Sequence, residues 1–83
     1  MLRNEMKYIM VGHNRPILFL DTWNHDDMAR ALGVIDKVTS AGFVMFSLNK
    51  IYCHKKSTTL DLKPAKNDAD VIANALGIFK ERN

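Results

Sequence analysis

Eighty-three residues are enough for one domain and no more, and residues 1–83 are read as a single unit. With 47% hydrophobic and 25% charged residues the composition is that of a folded globular chain, which excludes a disordered one. The net charge of +3 is mild, and the one cysteine, Cys53, excludes an internal disulfide.

The segment Met1-Leu2-Arg3-Asn4-Glu5 has no apolar stretch of the signal-peptide kind. No run approaches the roughly 18 apolar residues of a membrane helix. A cytoplasmic protein is the default expectation.

The first strand is expected over Lys7–Val11. Gly12-His13-Asn14-Arg15-Pro16 has turn chemistry, since Gly and Asn tolerate positive φ and Pro presets its own. Ile17–Asp21 follows as the second strand, giving an antiparallel hairpin with a loop of four or five residues. Asn24 then suits a helix N-cap, with Asp26 and Asp27 in the first turn facing the positive end of the helix dipole. Met28, Ala31, Leu32 and Ile35 recur at helical spacing, and Gly33 ends or weakens this helix of about ten residues. Trp23, just ahead of it, suits a staple of the helix start onto the core, or else an anchor for a partner.

A third strand is expected from Val38 to Ser47, with Gly42 marking a bulge or a close backbone approach. Leu48-Asn49-Lys50 suits a hairpin loop and Ile51–Lys55 a fourth strand. Ser57–Leu62 reads as a fifth, edge strand or as an ordered loop. The second helix is capped by Asn67, carries Asp68 and Asp70 in its first turn, and lines up Ala69, Ile72, Ala75, Leu76 and Phe79. Lys80 and Arg82 lie near its end.

The order β-β-α-β-β-(β)-α gives the α+β class: an antiparallel sheet of four to five strands with both helices packed on one face. Yet Tyr8–Val11, Ile17–Leu20 and Phe43–Phe46 are apolar at successive positions, and successive side chains of a strand point to opposite faces. With both helices on one side, about several hundred Å² of apolar surface would be left on the other, the size at which a patch becomes an interaction site. Tyr8, Met10, Phe19, Phe43 and Met45 are the candidate contacts with a protein partner. A shift of one residue exchanges the faces, so Ile9, Val11, Leu18, Val44 and Phe46 form the competing set. The alternative is a monomer whose long Lys and Arg stems, or the Ser57–Leu62 segment, fold over that face.

Charge is unevenly placed. Between Asn49 and Lys66, five lysines (Lys50, Lys55, Lys56, Lys63 and Lys66) oppose one acid, Asp61. Between Pro16 and Asp36, four aspartates (Asp21, Asp26, Asp27 and Asp36) oppose Arg30. Such a dipolar chain can steer a charged partner or help two copies meet head to tail. The lysines, with Tyr52 among them as a stacking ring, also define an alternative nucleic-acid surface. No helix-turn-helix spacing, zinc finger or paired aromatic motif of an RNA-binding sheet accompanies them.

Catalytic and metal chemistry finds little footing. His25-Asp26-Asp27 contains the His–Asp pair of metal-dependent phosphohydrolases, but acids at a helix start have a structural reason to be there. A composite metal site from His13, His54 and Asp21 would need the two hairpins to adjoin. Cys53 and His54 are adjacent, so on a strand they face opposite sides and do not share a metal. The serines lack Gly-x-Ser-x-Gly settings, and Gly12, Gly33, Gly42 and Gly77 are too dispersed for a phosphate loop. No enzyme, cofactor or resident metal is expected.

Thr39-Ser40-Ala41-Gly42-Phe43, then Ser57 with Leu60 and Leu62, then Asp68-Ala69 with Ile72, form a pattern over residues 38–76. It resembles small uncharacterised proteins carried by phages and prophages, in which a Ser-Ala-Gly-Phe strand precedes a Ser-x-x-Leu-x-Leu segment and a helix opening on Asp-Ala. Those proteins commonly place a glycine before the serine segment, where this chain has Lys55 and Lys56. The resemblance implies a mobile-element origin and binding to host machinery or other phage parts, and supplies no activity; the homodimer is expected instead from the bare sheet face or sheet edge.

Overall fold

A computed structural model describes residues 5–48 and 50–77. The expected α+β class and element order are present. Strands β1 (Glu5–Val11) and β2 (Arg15–Phe19) precede helix α1 (His25–Ala31). A short 3-10 turn, Ile35–Lys37, leads into β3 (Val38–Phe46), β4 (Ile51–His54) and helix α2 (Asp68–Leu76). The four strands form one antiparallel sheet in the order β2-β1-β3-β4. Gly12 and His13 close the first hairpin at φ +63° and +73°, in a loop of three residues where four or five were expected. Pro16 lies within β2, on the edge of the sheet, where a missing N–H costs no ladder bond.

The placement of the helices corrects the expectation of a one-sided sheet. Tyr8, Met10 and Val44 pack with Ile72 of α2, whereas Ile9, Phe19 and Ala41 pack with Ala29 of α1. Tyr8 and Ile9 are neighbours in one strand, so the two helices cover opposite faces. That is why the central strands are apolar at successive positions: each has a helix on either side. Tyr8 and Met10 are fully buried and Phe19 nearly so, which removes these three from the candidate contacts. In the competing set Ile9, Val11 and Val44 are buried and Leu18 and Phe46 are half-buried.

The helix ends follow their glycines. Gly33 (φ +72°) follows α1 and Gly77 (φ +71°) terminates α2, both in the left-handed conformation. Asn24 and Asn67 occupy the N-cap positions, but neither side chain makes a capping hydrogen bond. Thr59 Oγ1 takes that role for α1, accepting from Asp26 N at 3.2 Å. The inward residues of α1 are His25 and Ala29, with Met28 half-buried, while Ala31 and Leu32 are exposed. In α2, Asp68 and Ile72 are buried and Ala75 and Leu76 are exposed. Phe79, Lys80 and Arg82 lie outside the described residues.

Ser57–Leu62 is a closed loop rather than a fifth strand. Ser57 and Leu62 exchange backbone hydrogen bonds, and Leu60 N donates to Ser57 Oγ at 3.1 Å. Leu60 and Leu62 pack against the α1-side core, and Lys63 O accepts from Ala41 N of β3. The segment thus fills the edge of β3 that β4 is too short to reach.

Candidate binding surface

The register places Glu5, Lys7, Phe43, Met45, Tyr52 and His54 on the α1 side of the sheet. Lys7 is opposite Phe43, Glu5 opposite Met45, Phe43 opposite His54 and Met45 opposite Tyr52. The core under α1 reaches Phe43 through His25 and stops short of Met45 and Tyr52. Phe43 is half-buried, with the Lys7 and Lys55 ammonium groups 5.8 and 5.2 Å from its ring centre. Here the lysine stems do cover sheet surface, each cation lying over the negative face of the ring. Lys7 Nζ also donates to Trp23 O at 2.6 Å, and Lys55 Nζ reaches Glu5 Oε2 at 3.5 Å. His54 Nε2 is 2.8 Å from the same carboxylate oxygen, off the line of a hydrogen bond.

Beyond Phe43 this cover ends. Met45 and Tyr52 lie side by side, 37% and 46% exposed, and Leu48 at the hairpin tip is 98% exposed. Lys50 Nζ lies 5.4 Å from the Tyr52 ring centre. Of the five candidate protein contacts, Met45 is exposed and Phe43 lies beneath lysine stems. Leu48 was not among them; its sole sequence signal is a large aliphatic residue in a turn of polar ones.

The candidate basic group divides. Lys50, Tyr52 and Lys55 belong to the hairpin surface. Lys56 pairs with Asp61 at 3.1 Å and, with Lys63, Thr39 and Pro64, lines a groove of about 500 Å³ on the far side of the closed loop. Lys66 is exposed beyond that groove. The Thr39 and Ser40 hydroxyls at the groove are already committed, to Met10 O and to Asp68.

The reactive groups are spoken for as well. His25 is buried, its Nε2 2.8 Å from Gly42 O, its ring edge-on to Phe19 and Phe43. Burial lowers its pKa, so the ring is a neutral N–H donor to that carbonyl. His13 N binds Thr39 Oγ1 near the start of β3, whereas His54 faces Phe43 four residues further along, so the imagined site with Asp21 does not assemble. Among the described residues no group of three His, Cys, Asp or Glu side chains could hold a metal ion. Among them, too, no helix is long and apolar enough to cross a membrane.

A buried polar centre lies on the α2 side. Asp68 Oδ2 accepts from Tyr8 Oη at 2.5 Å, Ser40 Oγ at 2.7 Å and Ala65 N at 2.8 Å. Burial, and then the hydrogen bond to Asp68, push the Tyr8 hydroxyl's ionisation far up, so it stays a donor. Burial also raises the neighbouring Cys53 thiol from its ordinary 9.0 to about 11. Native Cys53 is therefore expected to react with iodoacetamide far more slowly than the urea-unfolded chain at pH 8, with a rate that climbs up to about pH 11. The raised value also means that the contribution of Cys53 to folding stability is fully present below about pH 9 and is lost as pH rises through 11, because the unfolded chain releases this proton first. A native thiol alkylated as fast as the unfolded one contradicts this placement.

No family model, curated protein or solved structure matches the chain.

Proposed function

We propose that this chain is a small non-enzymatic binding protein, and that it contacts a protein partner through the end of its β3–β4 hairpin. One observation carries the reading. Met45, Leu48 and Tyr52 present exposed apolar side chains beyond the reach of α1, with Lys50 over Tyr52 and Lys55 over the neighbouring Phe43. An apolar centre within a charged rim is the anatomy of a protein-binding patch, and the rim's sign asks for an acidic partner surface. The aliphatic share, Met45 and Leu48, favours protein over nucleic acid, which would be stacked on rings. A non-catalytic role is supported by the engagement of His25, Cys53 and Asp68 in packing and hydrogen bonds.

A mobile-element origin is supported by the phage-protein resemblance over residues 38–76, from which the chain departs at Lys55 and Lys56, where those proteins commonly have a glycine.

The test is capture on immobilised protein from extracts of host or phage-infected cells. A defined protein is expected to bind the wild type, and Tyr52→Ala to weaken it by on the order of 30-fold, the effect of removing a central aromatic anchor. Circular dichroism should be unchanged. Equal capture by a Met45→Asp/Tyr52→Ala variant rejects the surface. Retention of oligonucleotides that fades steeply with salt would favour the nucleic-acid alternative.

A further inference from the structure

We propose that this chain forms a two-fold dimer by pairing the outer edge of β4 with the same edge of a second copy, antiparallel and centred on Tyr52. The sheet has two edge strands, β2 and β4, and they are not equivalent. Edge strands are guarded by proline, charge or a bulge, because their outer backbone groups invite another strand. β2 carries Arg15 and Pro16, and Pro16 has no N–H to offer an incoming strand. Ile51-Tyr52-Cys53-His54 holds no proline, lysine, arginine or carboxylate, and its register against β3 is unbroken. Lys50 and Lys55 stand just outside it.

The backbone of β4 fixes how a second copy fits. Ser47 N donates to Lys50 O at 3.0 Å, which makes Ser47 and Lys50 a hydrogen-bonded pair of the β3–β4 ladder. Bonded and non-bonded pairs alternate along an antiparallel ladder. Met45 with Tyr52, and Phe43 with His54, are then bonded pairs too, so the N–H and C=O of Ile51 and Cys53 point away from β3. Among the described residues, no group outside the ladder hydrogen-bonds to the backbone of Ile51 or Cys53. Two copies that set Ile51 against Cys53 exchange about four backbone hydrogen bonds, and the two sheets become one.

This register also suits the side chains. Tyr52 meets its own copy as a non-bonded pair, the kind in which side chains come closest. Two rings, each 46% exposed and each beside a Met45, form one apolar strip across the axis. Lys50 falls opposite the copy's His54, whose ring lies 2.8 Å from the Glu5 carboxylate, so no lysine faces a lysine. On the other face Ile51 meets Cys53 of the copy, both being partly buried against the α2-side core. Each edge supplies the donors and acceptors that the other lacks, and only the guarded β2 edges remain, so the assembly closes at two. The pairing consumes the edge alone. Met45 and Tyr52 still stand on the open face, doubled for the partner of the proposed function.

The test is solution mass by light scattering between about 10 μM and about 1 mM of the chain, the range suited to small interfaces. The wild type is expected to rise toward two subunits and to stop there. Ile51→Pro removes an outward N–H and no ladder bond to β3. A bond is lost on each side of the axis, so association should weaken at least about tenfold. Cross-linking by diamide reads the register, in a Cys53→Ala background. Tyr52→Cys should give a disulfide-linked dimer, since non-bonded pairs bring Cα atoms to about 4.5 Å, within disulfide reach. Leu48→Cys, at the 98% exposed tip, would lie roughly 25 Å from its copy and should link far more slowly. Should Ile51→Pro fail to fold by circular dichroism, an equimolar mixture of Lys50→Cys and His54→Cys replaces it. Mixed disulfides should then outnumber those of either variant with itself.

A wild type of one-subunit mass throughout overturns the inference, as does growth past two subunits. So does undiminished association of a folded Ile51→Pro variant, a mixture without excess mixed disulfides, or Leu48→Cys linking as fast as Tyr52→Cys. In any of those cases, Tyr52-dependent capture of another protein still upholds the proposed function. Capture that is indifferent to Met45→Asp/Tyr52→Ala ends the proposed function instead.

Discussion

Replacing Asp68 with alanine is expected to remove about 3–5 kcal/mol of stability, the cost of leaving several buried donors unmatched at about 1–3 kcal/mol each. A chain of this length has about 4–12 kcal/mol in total, so the variant loses from about a quarter to all of its stability. The reason is the concentration of donors on one oxygen. Tyr8 Oη, Ser40 Oγ and Ala65 N all point at Asp68 Oδ2, and Tyr8, Ser40 and Asp68 are all buried from water. These donors belong to β1, to β3 and to the segment that leads into α2, so the carboxyl group fastens the helix to the sheet's two central strands. Tyr8→Phe alone should cost about 1 kcal/mol, since Asp68 keeps two donors. Asp68→Asn should fall between, as its amide oxygen can still accept. In a urea-denaturation cycle, Asp68→Ala with Tyr8→Phe should cost less than the sum of the two, by about 1 kcal/mol. Strict additivity would mean that the two groups do not interact.

How far this was legible is seen residue by residue. The strands could be read because their apolar runs are bounded by turn residues, and the end of α1 because Gly33 stands where the chain must turn left-handed, whereas the apolar face drawn on to Phe79 runs past Gly77, the left-handed C-cap of α2. The side on which each helix lies could not. The pattern Tyr8-Ile9-Met10-Val11 says that both faces are covered, but a second helix and a second molecule satisfy it equally. The resolution lies in contacts between Tyr8 and Asp68, sixty positions apart, which no local periodicity reports. Asp68 was readable as an acid in a helix's first turn, and its larger role as a buried acceptor was not. The Ser57–Leu62 pattern misled for a related reason. Its alternation near the end suits a strand, but Ser57 is buried and its hydroxyl accepts from Leu60 N, which curls the segment into a loop.

The candidate surface was half legible. Met45 could be named because it lies on an apolar strand, and Lys50, Tyr52 and Lys55 because they cluster in sequence. Tyr8, Met10 and Phe19 were named by the same reasoning and are core. The difference is only how far along the sheet the helices extend, a matter of length and crossing that composition does not carry. Charge asymmetry was legible only in part: Lys50 and Lys55 do border the hairpin surface, whereas Lys56 pairs with Asp61 and Asp26 with Arg30.

Replacing Gly42 with alanine is expected to be as damaging as any single methyl group can be here. A Cβ on Gly42 would lie 2.6 Å from Lys55 O, 2.7 Å from Pro64 Cγ and 3.1 Å from His54 O. Two of these are backbone atoms and the third belongs to a rigid ring, so none can swing aside as a long side chain would. Relief requires moving the chain after β4 away from β3. That movement strains the Ala41–Lys63 hydrogen bond and the approach of Ala65 to Asp68. Overpacking of a well-filled core costs about 1–3 kcal/mol, and a clash with backbone belongs at or beyond the upper end. Thermal unfolding of Gly42→Ala should therefore occur at a midpoint lower by at least about 10 °C. Pro64→Ala in the same background should restore part of that loss and not all, because the Lys55 carbonyl remains in place. A midpoint within about 2 °C of the wild type would show that the Lys55–Pro64 segment does not lie against β3, and the loop that separates the basic hairpin from the groove behind it would need to be placed elsewhere.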